Sequence, residues 1–185
     1  MPYSFRSEQC LPYPVETVFA FFADPENLPA LMPPWQRVRI ERLDLVPPPP
    51  SASAQLPPPA AGAGSRIVLS LRPLRFFPLR VRWVAEIVEF EMNQFFCDRQ
   101  VSGPFAYWQH KHQVRAVDHD GSRVTLLTDE VGYELPFGAL GAITHRLVRR
   151  QMEQAFTYRR EQTTTALARS ASSQVADPRD TPTAS

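Results

Sequence analysis

Hydrophobic positions near the beginning of the chain recur with the period of a helix. Residues 15–22 place apolar side chains at the spacing i, i+3, i+4, i+7, which predicts a short helix that begins at Pro14. Asp24 is predicted to cap a second short helix over residues 25–31, which the following proline pair ends. Two short helices are therefore expected between the first and second strands.

Further segments have the alternation of β-strands and are bounded by turn residues. Asp120-Gly121 marks a tight hairpin between the last two of them. The predicted strands are residues 3–11, 35–45, 66–71, 79–90, 94–102, 105–117 and 123–135.

The pattern after the last strand changes to a long helix, which Gly138 and Gly141 open. Its apolar face is expected to pack on the sheet and carries Leu140, Ile143, Leu147, Met152, Ala155 and Phe156. Arginines 146, 149, 150, 159 and 160 are expected largely on the solvated face. The predicted fold class is α+β: a curved antiparallel sheet of about seven strands grips the long C-terminal helix, with two short helices after the first strand.

Two segments interrupt this pattern. Residues 47–64 contain two proline runs and end in Ala-Gly-Ala-Gly, so they are predicted to be a loop insertion that adds nothing to the core. The chain after Leu167 turns to Ser, Ala, Thr, Pro and Asp. The predicted organisation is therefore one domain over residues 1–168 and a disordered tail over 169–185.

Composition narrows the class of protein. The 185 residues are 43% hydrophobic and 21% charged, which is typical of one globular domain. The formal net charge of +1 creates no field that would attract nucleic acid, so no nucleic-acid partner is predicted. The sequence has neither the apolar core of a signal peptide nor a membrane-spanning run, and a cytoplasmic location is predicted. Cys10 and Cys97 lie far apart, and reduced thiols are favoured over a disulfide.

Two stretches of the chain resemble the START-like, polyketide cyclase/dehydrase (SRPBCC) superfamily. The first is Pro14-Val-Glu-Thr-Val-Phe-Ala-Phe-Phe-Ala-Asp-Pro-Glu-Asn-Leu; the second is Gly103-Pro-Phe-Ala-Tyr-Trp-Gln-His-Lys-His, followed by the segment 128–136. The resemblance spans residues 3–165 and implies a helix-grip fold with a ligand cavity between sheet and helix. Lipid and quinone carriers, hormone receptors and aromatase/cyclases share this fold, so the resemblance assigns no catalytic residue.

The residues that could contact a ligand lie on three neighbouring strands. Two histidines alternate along one strand and share a face with Val114, so this face is expected to point inward. A carboxylate from either adjacent strand could hold an imidazole in one tautomer and raise its pKa. The predicted ligand-binding residues are Trp108, His110, His112, Asp98, Asp129 and Tyr133.

Three interpretations of the histidines stay open: a satisfied polar network, polar contacts to a ligand, and proton transfer by His110 or His112. The His-x-His pattern supplies two metal ligands and the sequence identifies no third, so neither a metal nor another cofactor is predicted.

The leading functional prediction is a binding protein for a hydrophobic or aromatic small molecule, such as a lipid, a quinone or a polyketide-like compound. One alternative is a cyclase or dehydratase that uses His110 or His112 as general acid or base. Another is a partner-binding regulator that uses the proline loop and the apolar, arginine-flanked segment 71–80. The same segment could make a peripheral membrane contact.

Overall fold

The computed structural model of the chain describes residues 3–50, 56–76, 78–136 and 139–175, with side chains of the last helix from residue 144 to residue 170. The strands are β1 (Tyr3–Leu11), β2 (Arg39–Asp44), β3 (Arg66–Leu71), β4 (Val81–Glu91), β5 (Phe95–Ser102), β6 (Tyr107–His119) and β7 (Ser122–Glu134). The α-helices are α1 (Val15–Ala23) and α2 (Ala139–Val175), and the short 3-10 helices are Pro25–Leu31 and Pro34–Gln36.

The strands form one antiparallel sheet in the order β1-β7-β6-β5-β4-β3-β2. This arrangement, with short helices after β1 and the long α2 against the sheet, confirms the predicted fold class. Asp24 caps the first 3-10 helix, because its Oδ1 accepts a hydrogen bond of 2.8 Å from the Glu26 backbone N–H. The segment is a 3-10 helix because Pro29 lies inside it and supplies no backbone N–H.

Two apolar clusters lie between the sheet and the helices. The larger joins α1, the first 3-10 helix, several strands and Leu167 near the end of the described α2 side chains. The smaller contains Val131, Tyr133, Met152 and Phe156, with Trp108 packed against it. Each fully buried large apolar side chain contributes about 1.5–3 kcal/mol to folding, so these clusters hold α2 on the concave face of the sheet.

The apolar face predicted for α2 is wrong at Leu147, which is 46% exposed, whereas Met152 and Phe156 are buried. Successive helical residues are about 100° apart around the axis. Leu147 therefore lies about 180° away from Phe156, and the predicted set combined two opposite faces. The side chains of Leu140 and Ile143 lie outside the described residues.

Charge substitutions on α2 should separate these two faces. Leu147→Asp is expected to leave the melting temperature within about 2 °C of the wild type, because the side chain is largely in solvent. Leu167→Asp should unfold the domain, since it buries an unpaired carboxylate at a position that is 1% exposed. Thermal melting followed by circular dichroism measures both. If Leu147→Asp melted like Leu167→Asp, the orientation of α2 would be wrong.

The described parts of the proline-rich insertion, residues 47–50 and 56–64, contribute to the core, which corrects the expectation that the insertion adds nothing to it. Leu56 and Ala61 are 6% and 2% exposed and belong to the larger apolar cluster. The Ala61 backbone N–H donates 2.9 Å to the Ala23 carbonyl, and the Gly64 N–H donates 2.8 Å to the carbonyl of Ile87. Proline fixes the backbone without preventing burial, so a proline-rich composition does not by itself exclude a contribution to the core. Residues 51–55 lie outside the described residues.

Other sequence-based expectations concern the tail and the cysteines. Helix α2 continues to Val175, so the first part of the predicted disordered tail is helical; residues 176–185 lie outside the described residues. Cys10 and Cys97 are both free thiols, on β1 and β5, which β7 and β6 separate. Among the described residues, no helix combines the length and the apolar character that a bilayer crossing requires.

Candidate functional site

Three adjacent strands bring four ionisable side chains together on the concave face. The register pairs Asp98 of β5 with His110 of β6, and His112 of β6 with Asp129 of β7. Because side chains alternate along a strand, the two histidines point to the same side, towards α2. His110 and His112 are 7% and 6% exposed, and their ring centroids are 3.9 Å apart.

Asp129 fixes the tautomers of both histidines. Its Oδ1 lies 3.0 Å from His110 Nε2 and 2.7 Å from His112 Nδ1, so it accepts an N–H from each ring. Neutral His110 therefore carries its proton on Nε2, and neutral His112 carries its proton on Nδ1. The lone pairs are left on the opposite nitrogens, His110 Nδ1 and His112 Nε2.

Asp98 lies on the side of those lone pairs. Its Oδ2 is 3.8 Å from His110 Nδ1 and 3.8 Å from His112 Nε2, both too long for a hydrogen bond. The Asp98 side chain is 19% exposed, compared with 5% for Asp129. Each imidazole thus has a short contact with Asp129 through one nitrogen and a longer contact with the more exposed Asp98 through the other.

Arg159 of α2 supplies the positive charge of the site. This side chain is buried, and its Nη2 lies 4.0 Å from Asp129 Oδ1. The guanidinium also covers the rings of Phe22 and Phe156, with its carbon 4.9 Å and 6.0 Å from the ring centroids. Arg159 Nη2 is 3.4 Å from His112 Nδ1, but the shorter contact of that nitrogen with Asp129 decides where its proton points.

Burial and these contacts shift the pKa values of Asp129, Asp98 and His112. Burial would raise the pKa of Asp129, but Arg159 and the imidazoles outweigh it and hold that pKa well below its usual value. Burial raises the pKa of Asp98, against the pull of His110 and Arg159. Burial and the neighbouring His110 lower the pKa of His112 to about 3, although Asp129 acts in the opposite direction. His112 is therefore a neutral imidazole at physiological pH.

Trp108 and Tyr133 extend the site along the same face, and they are opposite each other in the β6–β7 register. Their ring centroids are 6.4 Å apart, and the Trp108 ring is 6.3 Å from that of His110. Tyr133 is 1% exposed, and burial raises the pKa of its hydroxyl. The six residues predicted from the sequence thus lie on one face of three adjacent strands.

The inward position of Arg159 was missed, because the sequence was interpreted to place its side chain on the solvated face of α2. The helical period contains the signal: seven residues turn the helix by about 700°, so Arg159 lies almost directly above the buried Met152. An arginine on an apolar face of a helix is unusual unless it has a partner, and Asp129 is that partner.

Other polar atoms of α2 are buried without a hydrogen-bond partner among the described residues. They are Gln151 Oε1, Arg159 Nε and Thr163 Oγ1, which belong to residues that are 9%, 7% and 0% exposed. These three residues are eight and four positions apart, so at about 100° per residue they lie within a sector of about 120° of the helix surface. Beside this face, a groove of about 480 Å³ runs between β1 and α2, lined by Phe5, Arg6, Ser7, Glu8, Glu153, Phe156, Thr157 and Arg160.

Comparison with solved structures supports the helix-grip architecture. The crystal structure of TTHA0849 from Thermus thermophilus is 18% identical, with 91% of this chain and 99% of that chain covered and a TM-score of 0.61. The ZhuI aromatase/cyclase from Streptomyces sp. R1128 is 11% identical, with 91% and 95% covered and a TM-score of 0.64. Norcoclaurine synthase from Thalictrum flavum, in complex with dopamine and hydroxybenzaldehyde, is 12% identical, with 91% and 88% covered and a TM-score of 0.58.

Comparison at the level of sequence assigns the family. No curated protein matches the chain. The family model described as polyketide cyclase/dehydrase and lipid transport matches residues 11–157, which include α1, every strand after β1 and more than half of α2. The chain therefore belongs to the polyketide cyclase/dehydrase and lipid transport family, as the two sequence stretches indicated.

Proposed function

We propose that this protein binds a hydrophobic or aromatic small molecule with at least one polar group, between the concave face of the sheet and α2. The row of buried, unpartnered atoms on α2 carries this proposal: Gln151 Oε1, Arg159 Nε and Thr163 Oγ1. A buried polar atom without a partner costs about 1–3 kcal/mol. Three such atoms on one face of the helix are accounted for if a ligand, or water that a ligand displaces, supplies the missing partners.

The surroundings of the site suit the apolar part of such a ligand. Trp108 and Tyr133 border the imidazoles on one side, and Phe22 and Phe96 contact the His112 ring on the other, with centroids 5.8 Å and 4.5 Å away. The groove between β1 and α2 reaches Phe156, whose ring centroid is 5.7 Å from that of His110. A molecule in this groove would contact the rings of Phe5 and Phe156 as well as the charged side chains that line it.

The family and the solved structures support the chemical class of the ligand. The family description includes lipid transport. Norcoclaurine synthase, which has the same fold, was crystallised with dopamine and hydroxybenzaldehyde, both hydroxylated aromatic compounds. For this chain, the buried histidines and carboxylates favour a hydroxylated aromatic molecule over a plain hydrocarbon, because an apolar ligand would leave the polar atoms unpaired.

Ligand binding can be tested with paired aromatic probes. Native mass spectrometry of the purified protein would first detect a retained molecule, and titrations with naphthol and naphthalene, followed by tryptophan fluorescence, would compare affinities. We expect the wild type to prefer naphthol. His110→Phe combined with His112→Phe should abolish that preference, while Thr163→Val should weaken naphthol binding about 5- to 10-fold if the hydroxyl contacts the ligand.

The matched control is His119→Phe, because His119 is an exposed histidine on the same strand. The control should keep the preference for naphthol, and circular dichroism should show that every variant is folded. Equal affinity for both probes in the wild type, or an unchanged preference in the folded double variant, would exclude this site.

A cyclase or dehydratase is the second candidate, and the 3.0 Å contact between His110 Nε2 and Asp129 favours it. His112 is a poor general acid because its pKa is lowered to about 3. Proton transfer would therefore fall to His110, whose Nδ1 faces the more exposed Asp98. Product analysis after incubation with a poly-β-ketone would distinguish an enzyme, which converts the compound, from a carrier, which returns it unchanged.

Exposed apolar side chains at the tip between β3 and β4 support the prediction of a peripheral membrane contact. Phe76 is 88% exposed and Leu79 is 64% exposed, beside Arg75 and Arg80. Apolar side chains flanked by arginines suit an anionic bilayer surface from which a carrier could load a lipid. The partner-binding role and the cytoplasmic location also remain predictions.

A further inference from the structure

The two sides of the histidine pair are unequal, and the difference has a chemical meaning. On one side, both rings donate to Asp129 Oδ1 over 3.0 Å and 2.7 Å. On the other side, His110 Nδ1 and His112 Nε2 carry lone pairs and face Asp98 Oδ2, each at 3.8 Å. These three atoms lie within 4.8 Å of one another, and neither nitrogen is within hydrogen-bond distance of the carboxylate oxygen.

We propose that Asp98, His110 and His112 form a binding site for one divalent transition-metal ion of the zinc class. Two ligand atoms that are each about 2.1 Å from a zinc ion lie about 3.4 Å apart at tetrahedral angles. The two nitrogen–oxygen separations of 3.8 Å therefore need to shrink by a few tenths of an ångström, and the nitrogen–nitrogen separation, which is within 4.8 Å, needs to reach the same value to enclose the ion. This inference replaces the sequence-based expectation of no metal, because the fold supplies the third ligand from β5.

Asp129 acts as the group that orients the metal ligands. A histidine that binds a metal through one nitrogen usually donates its other N–H to a carboxylate, which fixes the tautomer and makes the imidazole a better ligand. Asp129 accepts such an N–H from both histidines. Arg159, 4.0 Å from Asp129, keeps that carboxylate ionised and lies on the side of His112 away from Asp98. The supporting carboxylate is thus in direct contact with the positive charge, which also acts on Asp98.

Charge and access also suit a cation. The buried group has two carboxylates, one guanidinium and two imidazoles that are neutral as metal ligands, so a divalent ion changes its formal charge from −1 to +1. Asp98 is the more exposed of the two carboxylates, at 19% compared with 5% for Asp129. Two imidazoles and one carboxylate select zinc, cobalt or nickel over magnesium or calcium, which prefer oxygen ligands. Three protein ligands leave at least one coordination position open to water or to a substrate oxygen.

The test uses the full-length protein after treatment with a chelator and removal of the chelator by dialysis. Zinc binding is measured by isothermal titration, and cobalt(II) binding is followed by its visible absorption. The wild type should bind one ion per chain, and excess magnesium should not compete. Asp98→Asn should weaken zinc binding about 100-fold, because the amide is a poor ligand. Asp129→Asn should weaken it about 10- to 100-fold through the orientation of the histidines.

Two controls separate this site from adventitious binding. Asp118→Asn and His119→Gln change exposed residues of β6 and should leave the zinc affinity unchanged. His112→Gln changes a second proposed ligand and should also weaken zinc binding, with circular dichroism as the check on folding. The proposal is overturned if the wild type binds no zinc after chelator treatment, or if folded Asp98→Asn keeps the wild-type affinity. The naphthol titration, run with chelator present, reports separately on the proposed ligand site.

Discussion

Separating Asp129 from Arg159 is expected to cause the largest loss of stability of any change at the site. Asp129→Leu leaves the Arg159 charge buried without its anion and also removes the acceptor of two imidazole N–H groups. Breaking a buried ion pair at one partner costs about 3–5 kcal/mol. Arg159→Leu should cost a similar amount, because Asp129 is 5% exposed and would lose its compensating charge.

The double variant Asp129→Leu/Arg159→Leu should lose less than the sum of the two single losses. Its components are in one network, so a coupling of about 1–3 kcal/mol is expected. Urea unfolding of the wild type, the two single variants and the double variant gives the four free energies of this double-mutant cycle. Asp118→Leu, on the exposed part of β6, is the control whose free energy of unfolding should stay close to that of the wild type. Strictly additive losses would contradict the ion pair between Asp129 and Arg159 and would mean that each side chain contributes to stability by packing alone.

Much of the fold could be predicted because hydrophobic residues recur with different periods in strands and in helices. The alternation around His110 and His112 correctly placed both rings on the inner face, since Val114 shares their parity. Strand ends were less certain: β2 begins at Arg39, four residues after its predicted start, because Pro34–Gln36 forms a 3-10 helix. Local proline geometry competes there with an apolar pattern that also suits a strand.

The site was only partly predictable, because its chemistry depends on register. The sequence supplied Asp98 and Asp129 as alternative partners of a histidine, but could not show that both are opposite β6, one on each side. The unequal distances, 2.7–3.0 Å to Asp129 and 3.8 Å to Asp98, arise from side-chain packing that no spacing rule encodes. The helical period places Arg159 on the buried face with Met152, but the arginines near it in the sequence indicated a solvated face.

His112 should make the protein markedly less stable in mild acid. Its pKa is 6.5 in the unfolded chain and about 3 in the folded one, mainly because its ring is buried. Between these values only the unfolded state binds the proton, so stability falls as the pH drops, by about 1.4 kcal/mol per pH unit. The loss over the full window is about 4–5 kcal/mol. Asp98 opposes part of it, because a carboxyl with a raised pKa is protonated first in the folded state.

The pH dependence can be assigned to His112 by comparing slopes instead of absolute stabilities. His112→Phe should be less stable than the wild type at pH 7, because Asp129 loses one donor, but its free energy of unfolding should change less between pH 6.5 and pH 4. The carboxylate of Asp129 stays out of this window, since its pKa is held well below the usual value. Urea unfolding at four pH values measures the slopes, and His119→Phe, on the exposed end of β6, should keep the wild-type slope. An equally steep slope in His112→Phe would show that another group binds the proton, and that the neutral imidazole beside Asp129 is not what limits stability in acid.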